Sequence, residues 1–302
     1  MGGSALDSQE QLQLIQDAHG DPALLALATV DLTFPDLPAS ERTSLRLALE
    51  AAAVPHWCDA DILAKLAGNS GSPNTDQWTR LKEVPVVEPF PARGTDAGNV
   101  HEANRLAIRK HLAETQQGRF IELSSRSARV FEADRQPSGR IEWIYHLLAA
   151  DPERGAAELE NLSRAWSGTA YYEDLAALSA ALTELDTSQM LRGKPLVRAR
   201  LVVAQRRADL AGASSLGDLA NQLLPAAEAT DDARLTGDAY SLVGDVAQAR
   251  GDLAGAEQAF SQYLAIFQRL AALDPANTDW QQGLADAQSR IADKDGVDPP
   301  HV

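Results

Sequence analysis

The chain holds a single cysteine, Cys58, among 302 residues. One thiol can form neither an internal disulfide nor a cysteine-built zinc site, and a reducing cytoplasm is the expected compartment. Aromatic residues make up only 5%. Ala and Leu, the strongest intrinsic helix formers, carry most of the apolar content, which favours close-packed helices over sheets. Basic residues are scarce, 27 Lys and Arg against 43 Asp and Glu, for a net charge of −16. That balance disfavours general binding to nucleic-acid phosphates and docking on anionic membranes. No apolar run approaches the ~20 residues that span a bilayer. The first eight residues show neither the basic nor the apolar region of a secretory signal.

Chemistry-bearing patterns are equally thin. No Gly-x-x-x-x-Gly-Lys-Ser/Thr phosphate loop, His-Glu-x-x-His pair or Gly-x-Ser-x-Gly elbow occurs. The six histidines, His19, His56, His101, His111, His146 and His301, are scattered. His56 and Cys58 lie two apart, which on a loop could serve a metal or a nucleophile dyad, but two groups alone read as ordinary packing. Ser124-Ser125, Ser214-Ser215, Tyr145-His146 and Tyr171-Tyr172 carry no catalytic pattern either. The expectation is a protein with no catalytic residues, no cofactor and no metal.

What is present is helical rhythm. Two short helices fit Gln9 to Phe34, broken at Gly20-Asp21-Pro22, where Gly ends one helix and Asp-Pro opens the next. A third begins near Leu37, with Leu45, Leu47, Leu49, Ala52 and Ala53 on its apolar face, and stops before Pro55. Short helices follow at Asp59–Leu66 and at Thr75–Glu83, separated by a turn-rich loop. Val84 to Pro91 is the one credible strand region, its prolines confining it to an edge or a short hairpin. Arg93 to Asn99 reads as a polar loop, and a helix covers Glu102 to about Glu114. From Phe120 onward, nine further helices alternate with short connections carrying Gly, Pro, Asp or Asn, as in stacked helix pairs.

The strongest local pattern runs from Tyr240 to Phe260. Tyr240 stands four residues before Gly244, Gly251-Asp252 marks a tight turn, and Ala256 and Phe260 follow at helical spacing. Gly244 would admit a close second helix onto which Ala256 and Phe260 pack back. The segment resembles a tetratricopeptide repeat, and Trp280 to Asp293, with Ala292 at the small position, resembles the first helix of another, acting as a solvating cap. The resemblance covers roughly residues 235–293. It implies a concave partner-binding face on the first helices, with Tyr240, Asp245 and Gln248 as candidate contacts. Net acidity favours a basic or neutral partner surface.

The N-terminal order of three helices, short strands and a helix opening at Val100-His101-Glu102 resembles the winged helix of STAND-type signal-transduction NTPases. That family carries a Met-His-Asp-like motif at this point, and its Gly-x-Pro motif is matched by Gly20-Asp21-Pro22. By that resemblance Pro22 and His101 would lie near a nucleotide, the helices from Phe120 to Trp166 would be a connector, and helical repeats would follow. The missing phosphate loop departs from the family and removes the main source of nucleotide-binding energy. The implied architecture is all-α: a winged-helix-like N-terminal domain with one β-hairpin, then an α-α superhelix of tetratricopeptide-type hairpins. Its segments are a lid-like stretch at 1–37, the winged-helix-like domain at 38–118, a connector at 119–232, the repeat with its cap at 233–293 and a flexible tail at 294–302.

Between Pro38 and Glu132 there are twelve Lys and Arg and twelve Asp and Glu, so that segment is neutral and the rest holds the whole net charge. On the candidate recognition helix Arg80 and Lys82 are opposed by Asp76 and Glu83, a poor start for DNA. Arg105, Arg109, Lys110 and His111 form a small basic cluster that reads as a solvated helix face. The expected function is therefore a non-catalytic scaffold or sensor arm of a bacterial signalling or defence regulator, engaging a protein partner through its repeats. The alternatives are a winged-helix DNA-binding regulator and an accessory subunit of an NTPase completed by another chain.

Overall fold

A computed structural model describes residues 6–68, 75–166 and 172–292. The turn-rich loop expected from Gly68 to Pro73, beyond Gly68 itself, lies outside them, as do Tyr171, His301 and the expected tail at 294–302. The chain divides into two compact units, Met1–Pro152 and Glu153–Val302. Apart from one two-stranded hairpin and two 3-10 turns, the elements are α-helices. No described helix is long and apolar enough to cross a membrane.

The first unit opens with α1 (Ser8–Asp17) and α2 (Pro22–Thr33). Asp7 and Glu10 close a capping box on α1, and Asp21 caps α2 with Pro22 in its first turn, satisfying amides that a helix start leaves open. Gly20 takes φ +75° between them. Then come α3 (Ala39–Ala52), α4 (Ala60–Leu66) and α5 (Thr75–Leu81). Leu45, Leu49, Ala52 and Ala53 of the expected apolar face are buried, whereas Leu47 stays 45% exposed, because it falls between the inward positions of the 3.6-residue turn.

The strand region is realised as β1 (Val87–Pro89), paired antiparallel with β2 (Gly98–Val100) in the register Val87–Val100, Glu88–Asn99 and Pro89–Gly98. β2 occupies the end of the segment that reads as a loop. Gly98 and Asn99 are poor strand formers, and the pairing comes from tertiary contacts. Gly98 also exchanges two backbone hydrogen bonds with Cys58, at 2.8 and 2.9 Å. A side chain at Gly98 would meet the Trp78 ring and the Glu88 carbonyl at 3.0–3.1 Å.

α6 (Glu102–Thr115), α7 (Gln117–Phe131) and α8 (Pro137–Ala150) complete the unit. The helices read in the sequence as the start of a connector after residue 118 thus lie in the first compact unit. Two features hold α7 and α8 in the first unit. α7 carries the small buried residues Ser124, Ser127 and Ala128, and α8 is buried almost all round from Ile141 to Leu148.

The second unit is a run of helices: α9 (Pro152–Trp166), α10 (Tyr172–Thr187), α11 (Gly193–Ala211), α12 (Gly217–Glu228), α13 (Ala233–Ala249), α14 (Leu253–Leu273) and α15 (Thr278–Ala292). From α10 onward each helix packs on the one that follows it. Leu201, Leu223, Leu235 and Leu242 form one buried cluster across α11, α12 and α13. Tyr263, Phe267 and Leu270 of α14 form another with Ala287 of α15.

Phe260 lies directly over Gly244, where a Cβ would enter its ring. Gly244→Ala should cost about 1–3 kcal/mol by overpacking, offset by about 1 kcal/mol of helix propensity. A lowered urea midpoint is the expected result, and an unchanged one would mean that the ring has room to move.

Candidate functional site

The second unit carries a groove of about 360 Å³. Its walls come from α9 (Glu160, Ser163, Arg164), α11 (Arg198, Val202, Gln205, Arg206), α13 (Arg234, Asp238, Ser241, Asp245) and α15 (Arg290). These are alternate helices of the run, so the stacking itself brings residues 130 positions apart onto one surface. Five arginines face three carboxylates there, on a chain whose net charge is −16.

An ion-pair network fixes these side chains. Glu160 sits 2.8 Å from Arg164 Nη2 and 3.1 Å from Arg198 Nη2, and also pairs with Arg234. Arg164 reaches Asp279 at 2.5 Å, and Arg198 donates to Asp238 at 2.6 Å. Arg290 pairs with Asp245 and, at 2.8 Å, with Asp286. Burial raises the Asp238 carboxyl above its ordinary pKa, against the opposing pull of Arg198 and Arg234. Burial by itself would lower the pKa of Arg290, but Asp245 and Asp286 more than reverse it.

Of the three contacts expected on the repeat, only Asp245 lines the groove, and there it is bonded to Arg290. Tyr240 donates to Glu228 Oε1 at 3.1 Å and packs with the cluster around Phe267. Gln248 is exposed near the end of α13. The arginines were missed because their signal is distributed. Arg198, Val202 and Arg206, like Arg234, Asp238 and Asp245, recur at helical spacing on helices whose other faces are apolar.

In the first unit His101 is exposed at the start of α6, its amide donating to Val86 O at 2.8 Å. Asp21, beside Pro22, meets α6 instead at His111, Oδ2 to Nδ1 3.5 Å. His111 lies ten residues, about 15 Å of helical rise, beyond His101. The fold thus sets Pro22 and His101 toward different ends of α6.

Arg105 and Arg109 are 4% and 0% exposed, so the expected solvated basic face is corrected for these two, whereas Lys110 is exposed and His111 half-buried. Arg109 donates to Val54 O and places its guanidinium 4.4 Å from the Tyr145 ring centre, while Arg105 donates to the Tyr145 hydroxyl at 3.3 Å. Beside them Glu142 Oε1 lies 2.8 Å from His56 Nδ1, and its Oε2 lies 3.2 Å from His146 Nε2. Burial would raise the Glu142 pKa, but the two histidines together hold it well below the usual carboxylate range. Burial, opposed by Glu142, pushes His146 down to about 4. Sequence reasoning weighed His56 with Cys58 and read both as ordinary packing. The structure turns His56 to Glu142 and buries the Cys58 thiol, whose pKa burial raises. Glu142 and His146, four apart on one helix, were the legible half of this cluster.

A wider hollow of about 540 Å³ opens between α3, α4, α5 and α7. Its cations are committed: Arg80 to Glu41 at 2.8 Å, Arg119 to Glu50 at 2.9 Å, and Arg126 to Glu122. Lys82 of the α5 end pairs with Asp96. Among the described residues no group of three or more His, Cys, Asp or Glu is arranged to hold a metal ion. The chain matches no family model, no curated protein and no solved structure.

Proposed function

We propose that the chain is a non-catalytic interaction arm of a bacterial signalling or defence regulator, and that it grips a partner protein along the groove of the second unit. One observation carries this reading: α9, α11, α13 and α15, alternate helices of the run, contribute side chains to a single groove. Curved stacks of helical pairs use that face to bind extended segments or partner domains. The tetratricopeptide likeness adds support, since Phe260 packs on Gly244 and Ala256, one turn before it, is buried. In the first unit three short helices, a β-hairpin and α6 follow in winged-helix order. The ion pairs on Arg80 and Lys82 favour a packing role for that domain over a DNA-reading one.

The test is site-specific photocrosslinking. A photoreactive residue replaces the exposed Gln205 in the groove or, as a control, the exposed Gln258 on α14. A discrete partner captured only from position 205 is the expected outcome. The same bands from both positions, or none from 205, would sink the reading.

A further inference from the structure

We propose that a cleft in the first unit, walled by α1, α2 and α3, docks an amphipathic helix of a partner protein, apolar on one face and carrying Lys or Arg beside it. The cleft holds about 330 Å³ and shares no residue with the groove of the second unit. The inference therefore stands apart from the reading of that groove.

Leu14 of α1, Leu24 and Leu27 of α2 and Leu47 of α3 line the cleft. A wall of helices presents ridges of side chains and no strand edge, since helix backbones use their N–H and C=O groups internally. Such a surface accepts another helix, which lays its own ridge into the gap. The cleft is also incomplete as a piece of core. Leu47 is 45% exposed, and α1 buries none of its residues, leaving Leu12 and Ile15 at 55% and 45%. These are three of the four large apolar side chains exposed on the described first unit, the fourth being Ile121. Scattered singly they would carry no meaning, but one lines the cleft and two stand on the helix that forms its wall.

Charge selects the partner. Arg46, His111, Glu50 and Asp17 rim the cleft. Arg46 lies 3.3 Å from Asp31, His111 3.5 Å from Asp21, and Glu50 2.9 Å from Arg119. Asp17 accepts from the neutral Gln13 amide at 2.6 Å and meets no cation among the described residues. The charge left over at the rim is therefore negative. The surrounding sequence reinforces it, because residues 1–41 hold seven Asp and Glu and no Lys or Arg. Asp7, Glu10 and Asp36 of this stretch are exposed. A helix with cations flanking its apolar face complements both features, and an acidic one would be repelled.

The experiment displays random peptides of about sixteen residues, some four helical turns, on phage. They are selected against the full chain in about 150 mM NaCl, where diffuse attraction is screened beyond ~8 Å. Sequences that also bind Thr43→Trp are discarded, since Thr43 is exposed at the cleft and a Trp there fills its mouth. Melting temperatures check that this variant, Asp17→Lys and Asp218→Lys are folded. The cleft-dependent peptides should carry net positive charge, with Leu, Ile, Phe or Met three and four residues apart. In anisotropy titrations the tightest of them should lose about fivefold in affinity on Asp17→Lys. Asp218→Lys, at an exposed position of the second unit, should cost less than about twofold. Cleft-dependent peptides that are neutral or acidic would overturn the proposal. So would equal losses on Asp17→Lys and Asp218→Lys, the mark of diffuse attraction, or the absence of any sequence that distinguishes wild type from Thr43→Trp. A concentration-dependent dimer in sedimentation that Thr43→Trp abolishes would overturn it as well, assigning the cleft to a second copy of the chain.

Discussion

Glu142→Ala is expected to destabilise the first unit by about 3–5 kcal/mol, the usual cost of removing one partner from a buried ionic cluster. Glu142 is 5% exposed and faces His56 and His146, with Arg109 close by at Tyr145. Without its carboxylate the N–H donors of His56 and His146 lose their acceptor at a position that is itself buried. Glu142→Gln keeps the shape and some hydrogen bonding, so it should cost less than alanine while still losing the charge. Native-state hydrogen exchange of α7 and α8 amides is the suitable readout, since the chain has two units and a single unfolding midpoint would mix them. A loss below about 1 kcal/mol for the alanine variant would mean that the cluster relaxes or admits water, contrary to this expectation.

The second large effect is a dependence on pH. His146 is 0% exposed and its pKa is lowered to about 4, against about 6.5 in an unfolded chain. Between those values the unfolded chain binds the proton and the folded one refuses it, so stability falls as pH falls from about 6.5 to 4. The contribution lost from pH 7.5 to 5 is about 2 kcal/mol. Glu142, also depressed, acts later: its contribution is intact above the ordinary carboxylate range and disappears only below it. His56 and Arg109 add positive charge that keeps His146 neutral, and Glu142 opposes them. His146→Gln should flatten the stability profile of the first unit between pH 7 and 5 relative to wild type. Parallel profiles would show that His146 already carries its proton in the folded state.

Helices were legible where local signals were strong. Asp7, Asp21, Asp59, Asp232 and Asp252 each cap a helix start, and the spacing of Gly244 and Phe260 anticipated a close contact between α13 and α14. β2 was not legible, because Gly98 and Asn99 are in a strand only through partners on β1 and at Cys58. The groove was harder still. An arginine on an amphipathic helix looks the same in sequence whether it faces solvent or a neighbouring helix. Arg109 shows this most sharply, reading as surface charge and ending fully buried between aromatic rings. Net charge is silent on local distribution in the same manner: −16 describes the chain, while five arginines line one groove.

The bridge between Gly98 and Cys58 has a bearing on cooperativity. A hairpin with three residues per strand would open and close by itself in water. Here β2 is held on both sides, by β1 and by the segment leading into α4, with Trp78 above it donating to Asp96 O at 2.8 Å. To detach, the hairpin must break with the entry to α4 and the seat of α5 together. The small β-element therefore belongs to the same cooperative folding unit as the helices around it, and its amides are guarded by the opening of the whole unit and not by local fraying.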